Sequence, residues 1–484
     1  MIFSTKSSRR SIPMANKHIN NKSFSIGCIE IVKKYEKKLG FATIFNRFKT
    51  KSDKLSKFVV GFVSHKIHYN QSINHAAEWM NKQHIRDELE LNEFEPKTAY
   101  RNLATLGKHD KAIISLTQNR LTSIYKFENT NSNMDWSSVI LYGNKANLGK
   151  QGYSRDHRPD KKQITFGISE YANPINVPMA LTVQAGNVLD KQHFRTTFKR
   201  TLKALNEGSL IIIDRGANTK DNKLLIRQHH HHYLCAATLS AKIDKKITMF
   251  DKTTALRVEE KECKRTYCQK QYENLEYQFL FFSEKLYEDQ INRKRKHIQK
   301  RIKESKEMQD KIISTKKHKQ KTYQLQNFIA TETLSLQKRL EKLSDEELSK
   351  TLFEETITGR EGFFLLVSSK DLTHSEALKI YRERDSIEKM MDSLKNVIKI
   401  KPIRVWADDE IKGALLIGFF AQLIISLMKY EHENLRDFHP RTIVESIRDL
   451  TLTLEYQDDF VFRKVISNID AINQYILGQK AEVT

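Results

Sequence analysis

Cysteine, tryptophan and proline are scarce in this chain of 484 residues. It contains four cysteines, three tryptophans and seven prolines. The cysteines, Cys28, Cys235, Cys263 and Cys268, are too few and too scattered for the disulfide framework of a small secreted protein. No basic start, apolar run and small-residue cleavage site follow one another near the first residue. We therefore expect an intracellular protein, long enough for two or three domains with cores of their own.

A hydrophobic run of membrane-spanning length is also missing. The longest apolar stretch, Gly413 to Met428, is shorter than the roughly 20 residues that a bilayer span needs. It also carries the polar side chain of Gln422. The stretch predicts a buried helix, and we expect no membrane partner.

Acidic residues are outnumbered by basic ones along the whole chain. Lys and Arg total 83 against 59 Asp and Glu, which gives a formal net charge of +24. Solubility alone needs a net charge of only about 2 to 8 on a small domain. The excess therefore favours a polyanion, above all nucleic acid, as the partner.

Changes in hydrophobic periodicity divide the chain into five segments. Residues from about Ile29 to Ser123 follow helical spacing, whereas apolar runs typical of strands begin after a polar cluster at Asn129 to Asn133. We predict a helical N-terminal domain that is a candidate for DNA-end binding (1–124), the first part of an α/β core (125–240), a largely helical and basic insertion (241–355), the second part of the core (356–430) and a C-terminal helical region (431–484). A free-standing coiled coil around residues 283–343 is the alternative for the insertion.

The core segments predict strands and helices in a definite order. Three strands at Val139 to Tyr142, Ile164 to Ile168 and Pro178 to Val183 precede a helix from Asp190 to Leu205. A strand from Leu210 to Ile213, a short helix near Asn222 to Gln228 and a strand from Tyr233 to Thr238 follow. After the insertion, a strand over Gly362 to Val367 and a capping box at Thr373 and Glu376 predict a further strand and helix.

Asp214 directly follows the most uniformly β-branched run of the chain, Ile211 to Ile213. A carboxylate is thereby placed at the end of a buried strand, where open α/β sheets bind their ligands. The simpler interpretation is an aspartate that caps the next turn.

The helix after Thr373 carries charged and aromatic residues at spacings of three, four and seven. Tyr381, Arg384, Glu388 and Lys395 are predicted to share one helix face. A carboxylate that binds a metal ion beside cations that bind phosphate oxygens would suit a phosphodiester substrate. A solvated face with ion pairs between residues four apart is the alternative.

These four residues form the pattern Tyr-x2-Arg-x3-Glu-x6-Lys, which resembles the signature of a large group of bacterial insertion-sequence transposases of the DDE type. Further segments are similar to motifs of the same group. They are Gly152 to Asp160, Gly186-Asn187 with Asp190, Ile213-Asp214-Arg215-Gly216, Lys401-Pro402-Ile403 and the apolar helix from Ala414. The resemblance covers roughly residues 130 to 430. It implies an RNase H-like mixed-sheet catalytic core, with the insertion between the second catalytic Asp and the Glu.

The resemblance also implies the site residues. Asp135, Asp214 and Glu388 would be the catalytic carboxylates and would hold two Mg²⁺ ions, for which Mn²⁺ could substitute. Tyr381, Arg384, Lys395 and Arg215 would contact DNA phosphates. Polar residues, Asn131 to Met134, precede Asp135 where the family has apolar strand residues, and Asp156 and Asp160 are rival candidates for the first carboxylate.

By the same resemblance the chain would be a DNA transposase. It would cleave the ends of an insertion element with Mg²⁺ and join the freed 3′-hydroxyl to target DNA. The partners would be double-stranded DNA, both element ends and target, and a second copy of the chain in a homodimer on DNA, in the cytoplasm at the nucleoid. The alternative is a catalytically inactive, transposase-derived DNA-binding protein.

Overall fold

The computed structural model describes residues 19–478, except 26, 50–52, 70, 144, 156–157, 262, 315–338, 340–341 and 458–459. The chain divides into two compact units. The first unit combines Met1–Ser209 with Glu383–Thr484, and the second unit is Leu210–Arg382. Both contain helices and strands, so the protein is of the mixed α/β type.

The first part of the first unit is helical and then changes to strands. Its helices include α6, which starts with proline at its first position, where a missing N–H costs no hydrogen bond. The elements are β1 (Ile19–Ser25), α1 (Gly27–Leu39), α2 (Phe41–Phe45), α3 (Leu55–His68), α4 (Ile73–Met80), α5 (Gln83–Leu89), α6 (Pro96–Lys108), α7 (Asp110–Tyr125), β2 (Ser132–Ile140), β3 (Gln163–Tyr171), β4 (Pro178–Ala185) and α8 (Asp190–Thr201).

The second unit is built on a mixed sheet with the strand order β5-β6-β10-β9-β8-β7. Strands β5 and β6 are parallel, and the other neighbours are antiparallel. The elements are β5 (Leu210–Ile213), α9 (Lys220–Gln228), β6 (His232–Ala237), α10 (Ala241–Thr248), β7 (Leu256–Lys261), β8 (Lys264–Glu273), β9 (Glu276–Ser283), α11 (Glu284–Ser314), α12 (Asp345–Thr356), β10 (Phe363–Ser368) and α13 (His374–Glu383).

The chain then returns to the first unit. Strand β1 pairs with β11, and β11 pairs with β12, in a small antiparallel sheet. The returning elements are α14 (Asp385–Asp392), a π-helical turn (Ser393–Val397), α15 (Asp408–Glu431), α16 (Pro440–Asp449), β11 (Thr451–Gln457), β12 (Phe460–Ser467) and α17 (Ala471–Leu477).

Helix α15 is the central core helix of the first unit. It is the one helix in the described part of the chain that is long and apolar enough to cross a membrane, and 89% of its apolar window is buried inside the protein. Its polar residue Gln422 accepts a hydrogen bond from Ser393 Oγ at 2.7 Å and donates one to Ser426 Oγ at 3.1 Å. The polar side chain is therefore satisfied within the core, as buried polar groups must be.

Helices α6 and α15 approach each other closely through two glycines. A Cβ atom on Gly107 would lie 1.7 Å from the carbonyl oxygen of Asp409, and one on Gly413 would lie 2.1 Å from that of Leu103. Both distances are far shorter than any van der Waals contact. The absence of side chains at these two positions sets the spacing of the helix pair.

Strands β2, β3 and β4 form antiparallel pairs in the order β4-β3-β2. Asn133 lies directly opposite Glu170, and Asp135 lies opposite Ile168. Because side chains two residues apart on a strand point to the same face, Asn133, Asp135 and Glu170 share one face of this pair. Trp136 points to the other face, where its indole N–H donates to Thr197 Oγ1 of α8 at 3.0 Å.

The predicted order of core elements is confirmed: three strands, a helix, a strand, a helix and a strand occur in sequence from β2 to β6. The strand at Leu210 to Ile213 has the predicted limits. The capping box is present, since Thr373 Oγ1 accepts from the backbone N–H of Glu376 at 3.2 Å and the Glu376 carboxylate accepts from Thr373 N at 2.8 Å.

Three expectations differ from the structure. Strand β2 begins at Ser132, inside the polar cluster interpreted as a boundary, because Ser132 and Asn133 are buried with hydrogen bonds. The insertion is not largely helical before residue 284, because β7, β8 and β9 form an antiparallel meander there. The alternate burial of Thr266 and Cys268 on β8 is a strand pattern, but the many charged residues around them hid it in the sequence. The compact units also join residues 1–124 with 383–484, so the N-terminal helices do not form a separate domain.

A fourth expectation, a single helix from Thr373, also differs from the structure. Helix α13 ends at Glu383, Arg384 lies in a turn, and α14 begins at Asp385. The π-helical turn then adds a residue to the next turn and rotates Lys395 about the axis relative to α-helical spacing. Tyr381, Arg384, Glu388 and Lys395 therefore do not lie on one continuous helix face.

A methyl group at Gly107 should separate α6 from α15. We expect Gly107→Ala to lower the free energy of unfolding by about 1–3 kcal/mol or more, because the added carbon has no room. Lys108→Ala, one residue further along the same helix and exposed, is the matched control and should change stability little. Urea denaturation of both variants measures the difference, and equal stabilities would show that the helices do not meet at Gly107.

Candidate active site

Asp135 and Glu388 lie in the same unit and interact with the same cation. Asp135 is on β2, and its side chain is 16% exposed, whereas Glu388 is on α14 and is 58% exposed. The guanidinium of Arg384 lies between them, with Nη2 3.4 Å from Asp135 Oδ1 and Nη1 2.5 Å from Glu388 Oε1. The structure thus brings together three residues that are separated by up to about 250 positions in the sequence, as expected if they share a site.

Arg384 is itself buried, with 7% of its surface exposed. A buried guanidinium is costly unless anions compensate its charge. The two carboxylates supply that compensation. The guanidinium of Arg384 is therefore the cation that Asp135 and Glu388 share.

Glu170 is a third carboxylate of this neighbourhood that the sequence analysis missed. It is fully buried on β3, opposite Asn133. Its Oε1 accepts hydrogen bonds from Asn133 Nδ2 at 3.0 Å and from Ser386 Oγ. Its other oxygen, Oε2, is buried and has no hydrogen-bond partner among the described residues. An acidic residue near the end of an otherwise apolar strand, Ile164 to Tyr171, was the sequence signal that could have identified it.

The position of Glu170 changes its ionisation. Burial raises the pKa of its carboxyl to about 7, and the negative charge of Asp135 acts in the same direction. Hydrogen bonds from Ser386 and Asn133 and the positive charge of Arg384 oppose the rise. Because the carboxyl joins Ser386 at the start of α14 to Asn133 on β2, it ties the helix that carries Glu388 to the strand that carries Asp135.

Two segments that resemble motifs of the transposase group, Gly152 to Asp160 and Gly186-Asn187 with Asp190, contact each other beside β2. The Arg155 guanidinium pairs with Asp190 at 2.6 Å, and the backbone N–H of Arg155 donates to Ser138 Oγ on β2 at 3.4 Å. A Cβ atom on Gly152 would lie 2.1 Å from the carbonyl oxygen of Gly186. The loop after β2 and the loop before α8 are therefore packed against each other.

The structure describes one of the two alternative candidates for the first carboxylate, Asp160. Asp160 is 54% exposed and pairs with Arg158, whose Nη2 lies 2.8 Å from Oδ2. The hydrogen bond from Arg158 is the main reason why the pKa of Asp160 falls to about 2. Asp156 lies outside the described residues. Asp160 is thus engaged in a surface ion pair, whereas Asp135 faces the buried guanidinium.

Asp214 and Arg215 lie in the second unit. Asp214 follows β5 as predicted, and its Oδ1 accepts from the backbone N–H of Ala217 at 3.1 Å, so it caps a 3₁₀ turn formed by Arg215–Ala217. Asp214 therefore does cap the turn that follows the strand, as the simpler interpretation of the sequence expected. Arg215 is exposed.

The remaining residues of the signature are less exposed than a solvated face would be. Tyr381 on α13, in the second unit, is half-buried, and Lys395 in the π-helical turn of the first unit is also half-buried. Neighbouring residues of that turn join it to the core helix, through the hydrogen bond between Ser393 and Gln422.

The donor atoms of the first unit suit a hard divalent cation. Mg²⁺ prefers carboxylate oxygens and retains several waters, and Asp135 and Glu388 offer such oxygens on either side of a position now filled by a guanidinium. Among the described residues, no group of three or more His, Cys, Asp or Glu side chains lies close enough to hold a metal ion. The pair therefore provides ligands for a metal but not a complete ligand set.

No protein-family model and no curated protein matches the chain. Among solved structures, the chain is similar to the piggyBac transposase in its synaptic complex with hairpin DNA, with a TM-score of 0.39 and 8% sequence identity. The alignment covers 88% of this chain and 79% of that chain. A likeness of this size does not define a family.

The raised pKa of Glu170 predicts a stability that depends on pH. The unfolded carboxyl titrates near 4.5 and the folded one near 7, so the folded chain binds the extra proton between these values. The contribution of Glu170 to the free energy of unfolding is therefore complete below about pH 4.5 and is lost as the pH rises through about 7. The shift corresponds to a loss on the order of 3 kcal/mol.

We expect Glu170→Gln to remove this part of the pH dependence, because the amide never ionises. Urea denaturation across the range from about pH 4 to about pH 8, with a chelator present, measures it. Glu433→Gln, at a carboxylate that is 80% exposed, should retain the wild-type profile. The same profile in wild type and in Glu170→Gln would contradict the prediction.

Proposed function

We propose that the chain is a Mg²⁺-dependent DNA transposase that cleaves element ends and transfers the 3′-hydroxyl strand to target DNA. The observation that supports the proposal most is the sharing of one buried cation by Asp135 and Glu388. Arg384 and Glu388 belong to the sequence signature, whereas Asp135 was selected by a separate resemblance. Residues four apart on a helix commonly form an ion pair such as that of Arg384 with Glu388, so the long-range contact of Asp135 with Arg384 carries most of the support.

In this proposal Asp135, Asp214 and Glu388 are the metal ligands, and Mn²⁺ can replace Mg²⁺. Asp214 is included because it directly follows the buried strand β5 and because Ile213-Asp214-Arg215-Gly216 resembles a motif of the transposase group. Two bound Mg²⁺ ions supply charge stabilisation for the attacking and leaving oxygens of an in-line phosphoryl displacement. The basic surface of the chain supplies affinity for double-stranded DNA that is mostly independent of sequence.

Arg384 has two tasks. Its guanidinium pairs with Asp135 and Glu388, the residues that would hold a metal ion. Its planar shape would also allow it to contact phosphate oxygens of DNA with two N–H groups. Tyr381, Lys395 and the exposed Arg215 are proposed as further phosphate contacts. Glu170 positions α14 on β2 through Ser386 and Asn133.

The shared cation site can be tested without DNA. We expect Arg384→Gln to lower the free energy of unfolding, by up to about 3 kcal/mol, because it leaves the largely buried carboxylate of Asp135 without its cation. Mn²⁺ should restore about 2–3 kcal/mol at a hundredfold excess over its dissociation constant. Thermal unfolding with and without Mn²⁺ measures both effects.

The double variant Asp135→Asn with Arg384→Gln is the control for this experiment. It lacks one of the two carboxylates, so Mn²⁺ should stabilise it much less. Arg384→Lys retains the positive charge and serves if Arg384→Gln does not fold: its response to Mn²⁺ should be lost when Asp135→Asn is added. Equal stabilisation with and without Asp135 would show that the carboxylates do not bind a common ion.

Catalysis requires a second experiment, with a plasmid that carries the DNA flanking the chain's own coding sequence. Asp135→Asn, Asp214→Asn and Glu388→Gln should each slow Mg²⁺-dependent strand cleavage at least about 100-fold, because each removes a charge that stabilises the transition state. Asp160→Asn, at the exposed rival aspartate, should cleave at nearly the wild-type rate. Gel analysis of nicked and linear products gives the rates.

Two results would overturn the assignment. Cleavage that survives Asp135→Asn but not Asp160→Asn would move the first carboxylate to Asp160. A wild-type chain that binds the same DNA and does not cleave it with either Mg²⁺ or Mn²⁺ would favour the catalytically inactive, transposase-derived DNA-binding protein. Strand transfer and a homodimer on DNA belong to the proposal and would show as joined products and as a two-to-one complex.

A further inference from the structure

A cleft in the first unit is lined by positive charges and by no carboxylate among the described residues. It lies between the end of α3, the start of α4 and the loop formed by residues 399–405, and its volume is about 250 Å³. Its cations are Lys66, Lys399, Lys401 and Arg404. We call this feature the basic cleft. None of its residues belongs to the candidate active site described above.

Lys66 holds the loop of the basic cleft in place. Its Nζ donates a hydrogen bond to the carbonyl oxygen of Lys399 at 2.9 Å. Lys399 has a backbone φ of +51°, in the left-handed region that residues other than glycine rarely adopt. Such a conformation costs of order 1 kcal/mol or more and persists only when the surroundings fix it. The loop is therefore held in a strained conformation that keeps cations together.

The cations are close enough to affect one another. The pKa of the Lys66 ammonium is lowered to about 8, first by burial and then by the charges of Arg404 and Lys399. Lys399 and Arg404 are exposed, and no acidic side chain among the described residues lines the cleft to compensate their charge. This repulsion opposes folding of the free chain, and an anion in the cleft would relieve it.

The start of α4 adds to the positive potential. Ser72 caps this helix, with Oγ accepting from the backbone N–H of His75 at 3.2 Å, and both Ser72 and Ile73 line the cleft. The first turn of a helix carries a partial positive charge and backbone N–H groups that favour phosphate. Tyr69, which is 40% exposed, forms part of the rim.

We propose that the basic cleft binds a phosphate group of the DNA backbone, as an anchoring site separate from the carboxylates. An extended polyanion fits better than a small enclosed anion because the outer cations, Lys399 and Arg404, are exposed and the whole chain carries a net charge of +24. The choice of DNA rests on the proposed function. The cleft contributes affinity and position rather than chemistry, since phosphate contacts carry no sequence information.

The test compares two double variants of the full chain, both of which remove two positive charges. Lys399→Ala with Arg404→Ala changes the basic cleft, and Lys111→Ala with Lys199→Ala changes exposed lysines on α7 and α8 that do not line it. Binding to a duplex of fixed sequence is measured over a range of salt concentrations with a chelator present. Without divalent metal no cleavage can interfere.

We expect the cleft variant to bind duplex DNA on the order of tenfold more weakly and to reduce the slope of log affinity against log salt by about 2. The control variant should keep the wild-type slope. The Tm of the free cleft variant should equal or exceed that of the wild type, because two mutually repelling charges have been removed. A merely structural role for Lys399 and Arg404 would instead lower the Tm.

Several outcomes would overturn the inference. They are an unchanged slope in the cleft variant, an equal loss in the control variant, or tighter binding to an RNA duplex of the same sequence. Stabilisation of the wild type by inorganic phosphate, without binding of duplex DNA, would assign the cleft to a small anion. Failure of metal-dependent cleavage bears only on the proposed function, whereas this binding experiment bears only on the cleft.

Discussion

The buried guanidinium of Arg384 is the interaction on which the candidate active site depends. An arginine with 7% exposure must have anionic partners, and it finds them in Asp135 on a strand and Glu388 on a helix. The pairing fixes the strand and the helix relative to each other within the first unit. It also holds the two carboxylates near one cation although they repel each other.

Glu170 forms a second polar connection between β2 and α14. Its carboxyl bonds to one residue of β2 and one residue of α14, so the same strand and helix are joined by a second polar contact. The two contacts differ in their dependence on conditions. The Arg384 ion pairs need ionised carboxylates, whereas burial favours the protonated form of Glu170 up to a pH of about 7. Asn133, a polar residue that looks like an interruption of the sheet, thus helps to hold strand and helix together.

The polar contacts of Arg384 and Glu170 lie in a unit whose helices are closely packed. Helix α15 lies in the core of the first unit and meets α6 through Gly107 and Gly413, where no side chain would fit. The same helix accepts the hydrogen bond of Ser393 from the π-helical turn. The segment that contains Glu388 is therefore tied to the sheet at one end and to the core helix at the other. The loop of the basic cleft, residues 399–405, leads from the π-helical turn to α15.

Local sequence patterns determined much of the element order and several site residues. Period-two and period-three-to-four spacing predicted β3, β4, α8, β5, α9 and β6, because hydrophobic periodicity reflects which side of an element faces a core. The capping box at Thr373 was predictable for the same reason, since its hydrogen bonds join residues only three positions apart. Three separate segments that resemble motifs of the transposase group selected Asp135, Asp214 and Glu388 without reference to their surroundings.

Only the tertiary structure decided which of these residues meet and in which charge state. The Arg384 contact spans β2 and α14, the burial of Glu170 depends on the helix that covers it, and the cations of the basic cleft come from segments more than 300 residues apart. The break at Arg384 and the π-helical turn were also invisible to spacing arguments, which assume a regular helix. Contacts between distant segments depend on how the core packs as a whole, and no local window of sequence contains that information.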